Sequence, residues 1–517
     1  IEARLLDAAG NPTDERKTPP QTWSQWRREY EAERPAPRLP PAELPLPEPA
    51  LHTPTSWGQL RLFFSRDLRA RLANKTYLAI ALLQPPLLGL VLSLLARGPV
   101  DAPYSFHDNH NLPTFLFMSV VVALFLGLSI SAEEICRDAR ILQRERFLHL
   151  SWWSYIHSKV LYLALVTGLQ MALFLSVAIP ILEIPALFLQ SWLILFACAF
   201  AASVLGLNIS AALRSAVAIY ILIPLLLVPQ MLLSGVIITY DDLIPTWSSR
   251  REVPGYANLL PSRWGYEALV VEQYRNNPYM RHLVEVDARV RLAEDDLDYY
   301  LPELKSRVQS ITLLRDQGVP ADQQRARLRI LARELARLEQ QTGLAAGLGP
   351  ADLDIQQFNP ATAARLDHYL TTVRQAIFAQ RRAAADERGA ILVRLERELG
   401  RAELESLQKT FTNQAIQRQV LNLQELEPVG EGVEGLYRRT LPVYRMPESS
   451  WGGAHFLAGD KQLGNHRIST YWFNLAAILL LTLLLYLALG MRLLPLALSG
   501  ISAIQQRLGR RYWHRSS

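Results

Sequence analysis

Six stretches of this 517-residue chain are too long and too apolar for the interior of a water-soluble domain: residues 76–97, 113–132, 158–182, 186–210, 216–238 and 470–494. A helix rises 1.5 Å per residue, so about 20 apolar residues cross a hydrocarbon core about 30 Å thick. Each stretch has that length, and none carries a charge at its centre. The expected fold class is an all-α membrane protein: six transmembrane helices, with a large helical extracytoplasmic insertion between helices five and six.

Half of the residues are hydrophobic, yet 20% are charged, so an apolar bundle is joined to a large polar portion. The basic residues of the short loops alternate in position. Arg61, Arg66, Arg69, Arg71 and Lys75 precede the first stretch; Arg137, Arg140, Arg144, Arg146 and Lys159 lie between the second and third. Arg214 follows the fourth, and Arg492, Arg507, Arg510, Arg511 and Arg515 follow the sixth. Loops 98–112 and 182–186 contain no Lys or Arg. The positive-inside rule then places both termini in the cytoplasm, and residues 240–468 outside a plasma (inner) membrane. The net charge of +6 lies largely beside the spans, which argues against a nucleic-acid partner. Cys136 and Cys198 are expected on different levels and form no disulfide framework.

Around the spans the chain divides by composition. Residues 1–54 end in a Pro-rich run that reads as a semi-rigid cytoplasmic linker, and the start on Ile1 rather than Met raises the expectation of a domain upstream. Residues 1–20 lack the apolar core of a signal peptide. Residues 55–75 read as an amphipathic interfacial helix capped at Thr55 or Ser56, with Leu60, Leu62, Phe63, Phe64, Leu68 and Leu72 on one side and Arg on the other. Spans one to five occupy 76–240, with a cytoplasmic loop at 133–157. An aromatic, re-entrant element follows at 241–280, then the insertion at 281–427, a packing segment at 428–468, span six at 469–494 and a basic tail at 495–517. Ala, Arg, Leu, Glu and Gln dominate the insertion. Leu328, Leu331, Leu335 and Leu338 repeat with heptad spacing, as do Leu392, Leu395 and Leu399. Gly343 to Pro360 separates the two, so a hairpin or small bundle of long helices is expected.

Motifs for chemistry are few. The chain has no GxxxxGK[ST] phosphate loop, no HExxH, no clustered Cys/His spacing and no GxSxG. The chain as given is therefore not expected to hydrolyse ATP itself. His107 and His110, three residues apart, lack further ligands. The spans hold Pro85, Pro86, Pro180, Pro224 and Pro229, read as kinks or as breaks beside a transport pathway, and Gln84, Gln170, Asn208 and Gln230, read as hydrogen bonds between helices or as the lining of a cavity for an amphiphile. The lack of a charge at the centre of any span argues against a proton relay.

Three segments carry a specific resemblance. Arg144-Glu145-Arg146, Leu150-Ser151, Tyr155 and Ser158-Lys159 lie in the loop after span two. Pro229-Gln230 and Leu233-Ser234-Gly235 close span five. Pro261, Ser262, Arg263, Trp264, Gly265, Glu267, Ala268 and Leu269 follow it. In this order they resemble the membrane domain of ATP-binding-cassette exporters of the ABCG/White type, over residues 55–280 and 468–495. The resemblance implies pairing with a second copy and with an ATP-binding cassette domain or subunit. It implies a coupling role for Glu134, Arg140, Arg144, Glu145 and Arg146. It further implies an apolar translocation cavity between copies, with Phe117, Val121, Phe125, Leu226, Pro229, Gln230, Leu233 and Gly235 as candidates, suited to a lipid or other amphiphile. Two features depart from that family: no cassette precedes the first span here, and the insertion is much longer. The alternative is a scaffold, or an ATP-driven mechanical device, whose insertion at 281–427 grips an extracytoplasmic protein.

Overall fold

The computed structural model describes residues 54–98, 104–144, 150–213, 215–241, 252–316, 321–349, 358–432, 435–447 and 449–497, with a few isolated positions elsewhere. The Pro-rich linker, Glu145, Arg146 and Arg214, and the basic tail beyond 497 lie outside these residues.

Helix α1 (Ser56–Ala73) is capped by the Thr55 hydroxyl, which accepts from the Gly58 N–H at 3.3 Å. Helices α2 (Lys75–Arg97), α3 (Leu112–Ser131), α5 (Trp152–Leu182), α6 (Phe188–Ala212) and α15 (Thr470–Gly490) form the apolar bundle. The short helix α4 (Glu134–Arg144) continues from α3 after a two-residue turn. Among the described residues, five segments are long and apolar enough to cross a membrane, α3 and α4 counting as one. The stretch expected to span at 216–238 differs. It gives helix α7 (Ala216–Leu232), only 17 residues or about 25 Å long. Pro224 and Pro229 lie inside it, and the chain turns at Leu233–Gly235, where Gly235 takes φ +78°.

Small residues set the closest packing. A Cβ on Gly127 of α3 would overlap the Ala199 carbonyl of α6, and one on Gly89 of α2 would lie 2.7 Å from the Phe174 carbonyl oxygen of α5. The polar residues of the spans bridge helices: Gln170 donates to the Ala81 carbonyl at 3.0 Å, and Asn208 to the Leu485 carbonyl at 3.0 Å. Both satisfy backbone oxygens where water is excluded.

Helix α8 (Pro261–Arg275) lies in the segment expected to be re-entrant; every residue from Pro261 to Tyr274 is buried, wedged among α3, α6 and α15. A Cβ on Gly265 would stand 2.6 Å from the Cys198 sulfur, so only Gly lets α8 sit this close to α6.

The insertion is helical. Helix α9 (Val284–Asp295) runs through a π-turn at Asp296–Tyr300 into α10 (Leu301–Asp316). Then follow α11 (Ala321–Thr342), the 40-residue α12 (Pro360–Leu399), α13 (Arg401–Phe411) and α14 (Gln414–Leu421). Leu328, Leu331, Leu335 and Leu338 are buried together with Leu304, Leu366 and Val373 in a core separate from that of the bundle. The second heptad is weaker: Leu395 is buried, but Leu399 is exposed. Residues 428–468 add what an all-helical pattern omits, two antiparallel hairpins: β1 (Val429–Gly432) with β2 (Gly435–Arg438), and β3 (Asp460–Leu463) with β4 (His466–Ser469).

Of the apolar residues expected on one side of α1, Phe63 is buried and Phe64 and Leu68 pack beside it. The buried residues of α1 are Gln59, Phe63, Asp67 and Arg71, while Leu62 and Leu72 are exposed. The four buried residues recur at i, i+4 and form one stripe. Their partners come from distant parts of the chain, so the stripe is mainly polar.

Candidate functional site

Helices α1, α4 and α5 meet at one end of the bundle around a buried ammonium. Lys159, about two turns into α5 and 2% exposed at its side chain, places Nζ 2.7 Å from Asp138, 2.9 Å from Asp67 and 3.1 Å from Glu134. Glu134, 3% exposed, also pairs with Arg71 and lies 3.8 Å from Arg137. Burial alone would lower the Arg71 guanidinium; the Glu134 carboxylate more than offsets this and holds it above its usual range. The cluster thus contains two buried cations against three carboxylates, one from α1 and two from α4.

Its surroundings fix the geometry. The Tyr155 hydroxyl donates to Asp138 at 3.1 Å, and the Phe63 ring meets Tyr155 edge-on at 5.7 Å. Arg71 lies over the Tyr77 ring at 4.5 Å, and Tyr77 is hydrogen-bonded to Tyr162 at 2.8 Å. The Ser210 hydroxyl of α6 accepts from the Ile135 and Cys136 N–H groups, both at 3.0 Å, satisfying donors at the start of α4. Gln59 accepts from the Ser151 N–H at 2.8 Å, and Trp152 donates to the Gly490 carbonyl at 3.2 Å. The start of α5 is therefore tied to both α1 and α15.

The inner face of α4 is Glu134, Ile135 and Asp138; Arg137, Arg140, Ile141 and Arg144 are exposed on the outer face. Of the five coupling candidates, Glu134 is thus an internal strut rather than a surface contact. Arg140 and Arg144 are on the surface, and Glu145 and Arg146 lie outside the described residues.

The translocation candidates scatter. Phe117 and Val121 are buried, with Phe117 edge-on to Tyr266 at 5.6 Å, and Phe125 is half-buried. Leu226, Gln230 and Leu233 are half-buried, Pro229 is exposed, and Gly235 is covered by Tyr240. Gln230 accepts from the Ser262 hydroxyl at 2.8 Å and from its N–H at 3.3 Å, so it caps α8. The outward side of α7, with Val217, Ile221, Leu225 and Val228, is uncovered among the described residues.

A second buried charge cluster escaped sequence reasoning. Glu267 of α8 and Lys461 of β3 are both 0% exposed at the side chain and 2.7 Å apart. Arg263 stands 3.3 Å from the same carboxylate, and the Asn474 amide of α15 donates to it at 2.9 Å. Burial pushes the Lys461 ammonium down to about 7; Glu267 pulls it back up, while Arg263 pushes it down further. Burial alone would raise Glu267, but the two cations and two hydrogen bonds hold it below the usual carboxylate range. The i, i+4 spacing of Arg263 and Glu267 was visible in the sequence. Nothing local pointed to Lys461, whose place is set by the hairpin.

Residues 58–274 match the model of the ABC-2 type transporter family. No sequence match to a curated protein was found.

Proposed function

With residues 58–274 belonging to the ABC-2 type transporter family of membrane domains, whose members typically pair with an ATP-binding cassette component, we propose that this multi-pass chain is the membrane half of an ATP-driven exporter for a lipid or other amphiphile. The observation that carries this reading is the two-sided helix α4. Its inner face is locked through Glu134 and Asp138 to Lys159 of α5, and its outer face offers Arg140, Ile141 and Arg144 to a docked protein. A cassette pressing on that face moves α5 with it, because the buried ion pairs transmit the load. ATP and Mg bind to the cassette. The end carrying α4 faces the cytoplasm, and the insertion faces outward, in agreement with the basic loops. A second copy covers the apolar outward side of α7, and the translocation cavity lies between the copies beside Phe125, Leu226 and Leu233.

A second reading rests on the separate core of α10, α11 and α12, which makes the insertion a body in its own right. In that reading it grips an extracytoplasmic protein and transmits the ATP-driven motion as force.

The test uses the chain reconstituted with its cassette in liposomes. Arg140→Glu with Arg144→Glu should abolish the stimulation of ATP hydrolysis by the membrane domain while the purified variant keeps its elution profile. Glu145→Ala should act in the same direction. Stimulation equal to wild type in the double variant would overturn the coupling role of α4.

A further inference from the structure

A cavity of about 90 Å³ lies at the root of the insertion. It is enclosed by the loop at 104–111, the end of α8, helices α9 and α12, and the junction of α13 with α14. A dry cavity of about 150 Å³ holds benzene, so this one has room for a phosphate- or carboxylate-sized group.

Its walls are rich in donors and short of acceptors. The charged side chains are Arg291, Arg388 and Asp287, two guanidiniums against one carboxylate. Asp287 is already engaged, 2.5 Å from Arg388. Arg291, half-buried, has no hydrogen-bond or ion-pair partner among the described residues. Tyr274 shares a 2.6 Å hydrogen bond with Tyr444, which leaves one hydroxyl proton of the pair to give. The strongest sign is Gln273. It is only 6% exposed, and its amide nitrogen is buried without an acceptor. Leaving such a donor unmet costs about 1–3 kcal/mol, and native interiors rarely tolerate it. The two asparagine amides on the wall are occupied: Asn277 donates to the Gln273 and Tyr274 carbonyls, and Asn413 to those of Phe106 and Asn109.

We propose that this chamber binds a phosphate- or carboxylate-bearing anion, held by the Arg291 guanidinium and the Gln273 amide. An anion supplies the missing acceptor and the missing counter-charge together. The site is separate from α4 and from the apolar side of α7, and it stands whatever the chain transports. Gln273 also lines a narrow apolar slot between the spans, beside Phe115, Leu175 and Leu269. The chamber is therefore within reach of a membrane lipid as well as of a free solute.

The experiment measures thermal protection of the purified full chain. One arm titrates inorganic phosphate in neutral detergent. The other compares nanodiscs of phosphatidylcholine with nanodiscs containing phosphatidylglycerol. Saturable protection by phosphate assigns the site to a free anion; protection by phosphatidylglycerol alone assigns it to a lipid headgroup. In either case Arg291→Gln and Gln273→Leu should weaken the response, the first by about tenfold or more, as expected for a hydrogen bond to a charged group. Arg289→Gln removes an exposed charge from the same helix and should respond as wild type. If Arg291→Gln fails to fold, Gln273→Leu carries the comparison. No protection in either arm, or an equal response from wild type, Arg291→Gln and Gln273→Leu, overturns the proposal.

Discussion

Replacing Lys159 with Met should do more damage than any other single change at the α4 end of the bundle. Met approximates the length of the Lys stem but carries no charge. In the wild type two buried cations, Arg71 and Lys159, face three carboxylates. The variant leaves one cation against Asp67, Glu134 and Asp138, all drawn within 3.1 Å of a point now occupied by a thioether. Removing one member of a buried ion pair typically costs about 3–5 kcal/mol, because the partner remains buried and uncompensated. Here three partners are stranded, so the upper part of that range applies. Glu134→Gln is the informative comparison. It leaves two cations against two carboxylates and keeps a polar group beside Arg71, so about 1–3 kcal/mol is expected. Unfolding in detergent, followed by Trp fluorescence, measures both. Trp152 stacks on Tyr155 with ring centres 5.6 Å apart and so reports on the cluster directly. The Lys159→Met midpoint should fall by several degrees more than that of Glu134→Gln. A Lys159→Met protein as stable as Glu134→Gln would refute the view that this ammonium holds the three helices together.

The cluster at the other end predicts a pH dependence. Lys461 stays protonated in the unfolded chain to about pH 10.4, but in the folded chain only below about 7, so the unfolded state binds more protons between those values. Stability should therefore rise with pH across that window, and Lys461→Met should flatten the slope between pH 7.5 and 9.5 in thermal scans; an unchanged slope would refute the assignment. Gly127→Val, which pushes a branched side chain into the Ala199 carbonyl, should cost about 1–3 kcal/mol by overpacking and lower the yield of monodisperse protein. A variant that elutes and melts as wild type would show that α3 and α6 have slack.

The membrane helices were legible in the sequence because uninterrupted apolar length needs no tertiary information. The stripe Leu328, Leu331, Leu335 and Leu338 was legible for a related reason, since its period and its burial both belong to one helix. Helix α7 was overestimated: Val236, Ile237 and Ile238 continue the apolar run, but the chain has already turned at Gly235. The packing face of α1 could be read only in part: Phe63 is inward, but its polar neighbours on the stripe gave no local sign. Asp67 and Arg71 are inward because Lys159 and Glu134 await them from other helices, and an isolated helix would present Leu62 and Leu72 instead. The same holds for the candidate site. Glu134 and Lys159 were singled out as residues of one loop, but their sharing of a buried cluster with α1 becomes visible only when the helices are assembled. The hairpins were missed because each strand is four residues long, too short for an alternation to show.

At 1.5 Å per residue, the 40 residues of α12 reach about 60 Å. Such a rod magnifies whatever happens at its foot. It meets α9 along Arg381 to Arg388, which pair with Glu294 and Asp287; the short turn at Met280–His282 joins α9 to the wedge α8, and Glu267 ties α8 to the hairpin and the last span. From Arg381 back to Pro360 the arm is 21 residues, about 32 Å, so a rotation of about 5° at the wedge would carry its tip through about 3 Å. The reach of the insertion thus scales with the length of one helix, by about 1.5 Å for each residue added or removed.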